Sequence, residues 1–227
     1  MKEMITDIRA WLMASGSFVL PKTIVLFDTE TTGFPSEQKS FDDPTQARCV
    51  QLGAIVVRTG DWSIINSIDT VIEVPSVPEP VAQIHGINTE MSHDYGMREA
   101  IAALAFTDMC RDFPVIAFNF PFDYKIMRCV YARSEVDHPF GDDSPNTFVC
   151  LMKGSKDFAK VPVTAAQAKR GMTGYKDPNL QEAYKALVDP AGFENAHSAM
   201  ADVTASLAVF KSIVDIIIDE LEEEEVV

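Results

Sequence analysis

The sequence predicts an α/β fold: one central mixed sheet, part antiparallel meander and part parallel, flanked by helices. Two observations carry this. Apolar, β-branched runs come first and follow one another through short connections, at Thr23 to Phe27, Val50 to Arg58 and Ser63 to Val74. Later, a short apolar run at Val115 to Phe118 stands among segments of helical periodicity. A meander followed by alternation gives a sheet with an antiparallel and a parallel part. At 227 residues, without an internal repeat or a splitting linker, the chain is most simply one domain.

The elements follow in order. Met4 to Leu12 reads as an amphipathic helix, because Met4, Ile5, Ile8, Trp11 and Leu12 recur at helical spacing. The apolar stretch Ala10 to Leu20 is a poor signal peptide, since Glu3 and Asp7 precede it and Ser15-Gly16-Ser17 breaks it. Thr23 to Phe27 is a strand. Phe34 to Ala47 is a polar loop with two prolines, and Gly60-Asp61 turns the next two strands into a hairpin. Pro75 to Pro80 is an extended linker leading to His85-Gly86-Ile87. Arg98 to Asp112 is a helix stopped by Pro114, and Phe122 to Arg133 is another. Asp137 to Pro145 is a loop rich in Asp, Pro and Gly. Leu180 to Val188 is a short helix. Ala199 to Ile218 is a long one, with Val203, Leu207, Phe210, Val214 and Ile217 on one face. The acid run Asp219 to Glu225 is expected to fray or stay solvated.

Composition narrows the function. A content of 47% hydrophobic and 23% charged residues is that of a soluble globular protein. The four cysteines stand far apart, without a zinc spacing or a disulfide framework, so a reducing, cytoplasmic setting is expected. No apolar run reaches the roughly 18 residues of a membrane span. A net charge of −15 argues against tight non-specific binding to duplex. It leaves open a pocket that meets phosphate through metal ions. The charge is uneven: residues 151–180 carry Lys153, Lys156, Lys160, Lys169, Arg170 and Lys176 against Asp157 and Asp177 alone. Such a segment either grips a strand or forms a solvated helix face.

The chemistry-bearing residues begin at the end of the first long strand, in Phe27-Asp28-Thr29-Glu30. Alternate side chains of a strand share a face, so Asp28 and Glu30 project together. They are either hydrated at a strand end or held by a hard divalent cation, for which carboxylate oxygens are the preferred ligands. Asp123 follows the apolar run of Val115 to Phe118, as a first-turn helix acid or as a ligand at a strand end. His197 and Asp202 lie five residues apart, roughly 140° around a helix axis. They converge only if His197 lies in the turn before the helix and bends back.

Taken together, Asp28 and Glu30, then Asp123, then His197 and Asp202 resemble the DEDDh family of 3′–5′ exonucleases, the epsilon-type proofreading and RNase T-like enzymes. The likeness extends to Asp28-Thr29-Glu30-Thr31-Thr32-Gly33, to Gln51-Leu52-Gly53-Ala54, to His85-Gly86-Ile87, to Asn119 through Asp123 and to Asn179-Leu180 through Ala183. One position departs: the family often has His-Asn where this chain has Phe118-Asn119.

The resemblance implies a ribonuclease H-like fold and a division into an N-terminal helical extension (1–22), an exonuclease domain (23–218) and an acidic tail (219–227). It implies two Mg²⁺ or Mn²⁺ ions on Asp28, Glu30, Asp123 and Asp202, with Asp28 bridging and Glu30 toward the attacking water. His197 is implied as general base. Thr31, Thr32, Gly33, His85, Asn119 and Phe122 are implied at the terminal nucleotide, Phe122 either stacking on a base or filling core. The expected reaction is release of nucleoside 5′-monophosphates from the 3′ end of single-stranded or frayed DNA. RNA trimming and a non-catalytic, polymerase-binding module are the alternatives. The expected partners are a nucleic acid 3′ end, DNA before RNA, and a separate DNA polymerase chain, with no membrane.

Overall fold

A computed structural model of the chain describes residues 3–225. Residues 1–2 of the expected extension and 226–227 of the expected tail lie outside the described residues.

Six strands form one sheet in the order β1-β6-β5-β2-β3-β4. Strands β2 (Thr23–Thr31), β3 (Cys49–Arg58) and β4 (Ser63–Val71) are the antiparallel meander. On the other side of β2, β5 (Val115–Ala117), β6 (Phe148–Cys150) and β1 (Met4–Ile5) add in parallel. The sheet is therefore mixed, as the sequence predicts. β2 is covered on both faces, which is why its apolar run is unbroken. Val25 and Phe27 pack with helices α4 (Glu99–Cys110) and α5 (Phe120–Ser134). Ile24 and Leu26 pack with α1 (Ile8–Leu12), α9 (Leu180–Leu187) and α10 (Ala199–Glu225). Two further helices, α2 (Glu79–His85) and α3 (Thr89–Tyr95), lie between β4 and α4 in the chain.

Several elements differ from the sequence reading: α2, which starts inside the expected Pro75 to Pro80 linker, and α3 were not read as helices, and four further differences stand out. The N-terminal segment is not one helix. Asp7 accepts a hydrogen bond from the Ala10 backbone and caps α1, so the helix starts at Ile8. Met4 and Ile5 are left free to pair with β6 at the sheet edge. The extension is thus built into the sheet, with Ile8 and Leu12 buried. Strand β6 was not expected, because three residues give no period; it is recognisable only by being buried on both faces. Helix α10 continues through the acid run to Glu225. Glutamate is a good helix former, Glu220 pairs with Arg9, and Glu222 to Glu224 are exposed. The basic region holds three short helices, α6 (Leu151–Gly154), α7 (Lys156–Ala159) and α8 (Ala165–Lys169), in place of one helix face.

The Phe34 to Ala47 loop is organised by one buried side chain. Gln46 Nε2 donates to the carbonyls of Ser36, Lys39 and Ser40, and its Oε1 accepts from the Ser36 backbone. Among the described residues, no helix is long and apolar enough to cross a membrane.

Candidate active site

The parallel strands β2, β5 and β6 end at one edge of the sheet, and α5 begins there. The alternation of β2 decides what each residue meets. Asp28 and Glu30 share the face of Ile24 and Leu26, which is the face of α10. Thr29 shares the face of Val25 and Phe27, which is the face of α5. Gly53 of β3 lies opposite Asp28 in the register. A Cβ at Gly53 would sit 2.7 Å from the Ala199 carbonyl carbon and 2.8 Å from the Met200 nitrogen, so the start of α10 rests directly on β3. Gln51 secures it: its Oε1 accepts from the Ala199 N–H at 3.2 Å while its Nε2 donates to Asp69 at 2.7 Å.

This seating brings Asp202, in the first turn of α10, against β2. Ligand atoms of Glu30, His197 and Asp202 lie within 4.8 Å of one another. His197 reaches them because the chain bends back just before the helix. Asn195 and His197 take left-handed φ values of 57° and 71°, uncommon for residues with a side chain and typical of constrained functional segments. Asp123, in the first turn of α5 and 2% exposed, is fixed from the other side. Its Oδ1 accepts from the Thr29 backbone N–H at 3.1 Å and from Thr29 Oγ1 at 2.7 Å.

The four carboxyls disfavour their own ionisation. Burial raises Asp28 well above the usual carboxylate range, and the charges of Asp123, Asp202 and Glu30 raise it further. Burial, helped by Asp202, lifts Glu30 to about 7. Asp123 is also lifted to about 7 by burial, against the pull of its two Thr29 hydrogen bonds. Asp202 rises to about 6 through burial, opposed by the His197 backbone and ring. Asp202 Oδ1 is buried with no hydrogen-bond partner among the described residues. An orphaned carboxylate oxygen inside a group of mutually repelling acids fits a divalent cation.

Beside Glu30 opens a cleft lined by Thr31, Gly33, Phe34, Val81, Ile84, His85 and Phe122. Of the residues expected at the substrate, Thr31, Gly33, His85 and Phe122 line it. Thr32 lines a neighbouring cleft, and its hydroxyl accepts from the Arg48 backbone. Asn119 is exposed at the N-terminus of α5 and lines neither. His85 ends α2 and its Nε2 is buried without a hydrogen-bond partner among the described residues. Burial lowers its pKa, and the His197 charge adds to this. Phe34 was missed by the sequence reading. It is 90% exposed, lines both clefts, and stands 5.9 Å from the Phe122 ring at 73°. An aromatic in a polar loop leaves no periodicity; its place directly after Gly33 is the one signal it gives. Gln51 and Thr29 were quoted within motifs without a role.

The exonuclease family model typified by RNase T matches residues 25–210, which include all four acids and His197. The chain belongs to the RNase T exonuclease family, the DEDDh group its acids resemble. Solved structures share the fold of this exonuclease-family chain. E. coli exonuclease I in complex with a dT13 oligonucleotide is 19% identical, with a TM-score of 0.66 over 89% of this chain and 43% of that one. The zinc-ion-bound form of the E. coli ExoI–ssDNA complex is 20% identical, with a TM-score of 0.66 over 90% and 43%. The exonuclease-family chain thus spans less than half the length of these structures. No curated protein matches it.

Proposed function

We propose that this chain is a metal-dependent 3′–5′ exonuclease that releases nucleoside 5′-monophosphates from single-stranded or frayed DNA ends. The observation that carries this reading is the convergence of Asp28, Glu30, Asp123, His197 and Asp202 beside a cleft lined by Phe34, Phe122, Ile84 and His85. The family match over 25–210 supports a catalytic unit of residues 23–218. The oligonucleotides in the exonuclease I complexes favour DNA.

The residues divide the work. Asp28, Glu30, Asp123 and Asp202 would hold two divalent ions, which when bound neutralise the phosphate charge and polarise the attacking water. His197 takes the proton of that water. It is exposed, so it can pass the proton to solvent. Thr29 holds Asp123 in one orientation, and Gln51 and Gly53 hold the start of α10. Phe122 and Phe34 offer ring faces to bases, a contact that tolerates any sequence. Ile84 and Val81 close the apolar side of the cleft.

The test is a time course on 3′- and 5′-labelled DNA and RNA oligomers with Mn²⁺, Mg²⁺ or EDTA. The expected result is stepwise shortening of 5′-labelled single-stranded DNA, metal-dependent and faster than for matched RNA. Asp28→Asn and Asp202→Asn should each lose roughly a thousandfold, as the loss of several kcal/mol of charge stabilisation implies. Cleavage at the wild-type rate by either variant would sink the reading. Faster digestion of RNA would move the substrate to that class.

A further inference from the structure

The basic region leaves the body of the protein and returns to it at the same edge of the sheet. At its start, α6 follows β6 directly, and the Met152 N–H donates to the Phe118 carbonyl, just past β5, at 2.7 Å. At its end, Gln181 of α9 donates to the Phe193 carbonyl at 2.8 Å, and the Tyr184 and Phe193 rings meet at 5.3 Å. Phe193 enters the turn that carries Asn195 and His197. The returning attachment therefore lies on the segment that carries His197, while the outgoing one follows β6, whose neighbour β5 pairs with β2.

Between them the chain makes a self-contained excursion. Its neck is closed by Lys176 N–H to the Val161 carbonyl at 3.0 Å and Val163 N–H to the Gly174 carbonyl at 3.3 Å, with Pro162 and Tyr175 paired. Its tip is α8, held by a reciprocal cap between Thr164 and Gln167. From Thr164 to Tyr175 every residue except Gln167 is exposed, including Met172 at 45% and Tyr175 at 42%. The excursion adds no residue to either hydrophobic core between Val161 and Tyr175.

Its charge sets it apart from the rest of a chain of net charge −15. No carboxylate occurs between Asp157 and Asp177. Lys156 pairs with Asp177 and Lys176 with Glu182, which tie the base. Lys160, Lys169 and Arg170 form no ion pair with any described residue. A polyanion approaching an otherwise acidic surface is drawn to the place where unpaired cations stand.

We propose that this excursion, residues 160–176, is a cationic arm that holds the phosphate backbone of the single strand upstream of the terminal nucleotide. The proposal rests on the exonuclease reading for its substrate. Lys160, Lys169 and Arg170 contact phosphates, and Met172 and Tyr175 offer apolar surface to bases between them. The arm compensates for the acidic body and makes affinity grow with strand length, while the dinucleotide end is held by the cleft alone.

The test compares wild type with the triple variant K160Q/K169Q/R170Q. Binding of a fluorescent oligothymidylate of fifteen nucleotides is read by anisotropy in EDTA over a salt series, and turnover of a dinucleotide is read with Mn²⁺. The variant should bind the long oligomer at least about tenfold more weakly at low salt. Its slope of log affinity against log salt should fall by about 2, at about 0.7 per single-strand phosphate contact. Dinucleotide turnover should be unchanged. An unchanged affinity and salt slope would overturn the proposal and leave the arm for an acidic protein partner. An equal loss on the dinucleotide would overturn it as well, by placing the effect in the cleft. Absence of cleavage by the wild type would defeat the exonuclease reading, while anisotropy would still decide the arm.

Discussion

On β2 the two-residue alternation sends Asp28 and Glu30 toward α10 and Thr29 toward α5, so one strand end serves both helices that bring the other acids. Thr29 is the neutral member of this set, and its hydroxyl is worth testing first. Its hydrogen bond to Asp123 favours the ionised carboxylate. Thr29→Val removes that bond and keeps the shape. Asp123 should then hold its proton to higher pH, by about one unit if the bond is worth about 1.4 kcal/mol. The acidic limb of the pH–kcat profile should move upward by a similar amount, with activity partly recovered at alkaline pH. A profile lowered equally at every pH would show that Thr29 acts otherwise. His197 gives the complementary case. His197→Ala should lower kcat about 10²- to 10⁴-fold, the usual contribution of a general base. Calorimetry should still find Mn²⁺ binding to the remaining carboxylates. Loss of all Mn²⁺ binding would make His197 chiefly a ligand.

At the scale of elements, the position of α10 depends on contact with β3. Gly53→Ala places a methyl group less than 3 Å from the backbone of Ala199 and Met200, where no flexible side chain can give way. The helix start must shift, and Asp202 shifts with it. The expected outcome is a loss of kcat of about 100-fold or more, since small displacements in a positioned site carry such penalties. KM for a dinucleotide should change much less, because the cleft is built from β2, α2 and α5. A variant with wild-type kcat would show that the contact is slack. The sequence quoted Gly53 within a motif; why a glycine stands there became visible only with α10 laid across it. The same holds for β1 and β6. Each is too short to carry a period, and their pairing is specified by a partner strand more than 140 residues away. The long elements were legible because burial writes a pattern along many residues, a near-continuous apolar run in β2 and β3 and a helical period in α5 and α10.

For the molecule as a whole, each of the acids and His197 taken alone left two readings open, and it was their order along the chain, resembling the DEDDh pattern, that singled them out. The cleft was legible in part: Thr31, Gly33, His85 and Phe122 were expected there, whereas Phe34 and Ile84 are exposed and no local pattern marks them. The acids also impose a condition on the stability of the whole fold. In the folded chain Glu30 and Asp123 titrate at about 7 and Asp202 at about 6, whereas unfolded carboxyls titrate near 4. Between these values the folded state binds more protons than the unfolded one, so stability falls as pH rises through the window from about 4 to about 7. Above about 7 the penalty is complete, and divalent ions that bind the ionised acids remove it. Thermal unfolding should therefore show a metal-free protein whose Tm drops between about pH 4 and pH 7. Saturating Mn²⁺ should raise Tm much more near pH 8 than near pH 5. In Asp28→Asn, which removes an acid raised by burial and by all three neighbouring carboxyls, the metal-free protein should lose less Tm on the way to pH 8, and Mn²⁺ should restore less. A metal-free Tm that climbs through this window would mean that the four carboxyls are not held together as their burial and mutual repulsion require.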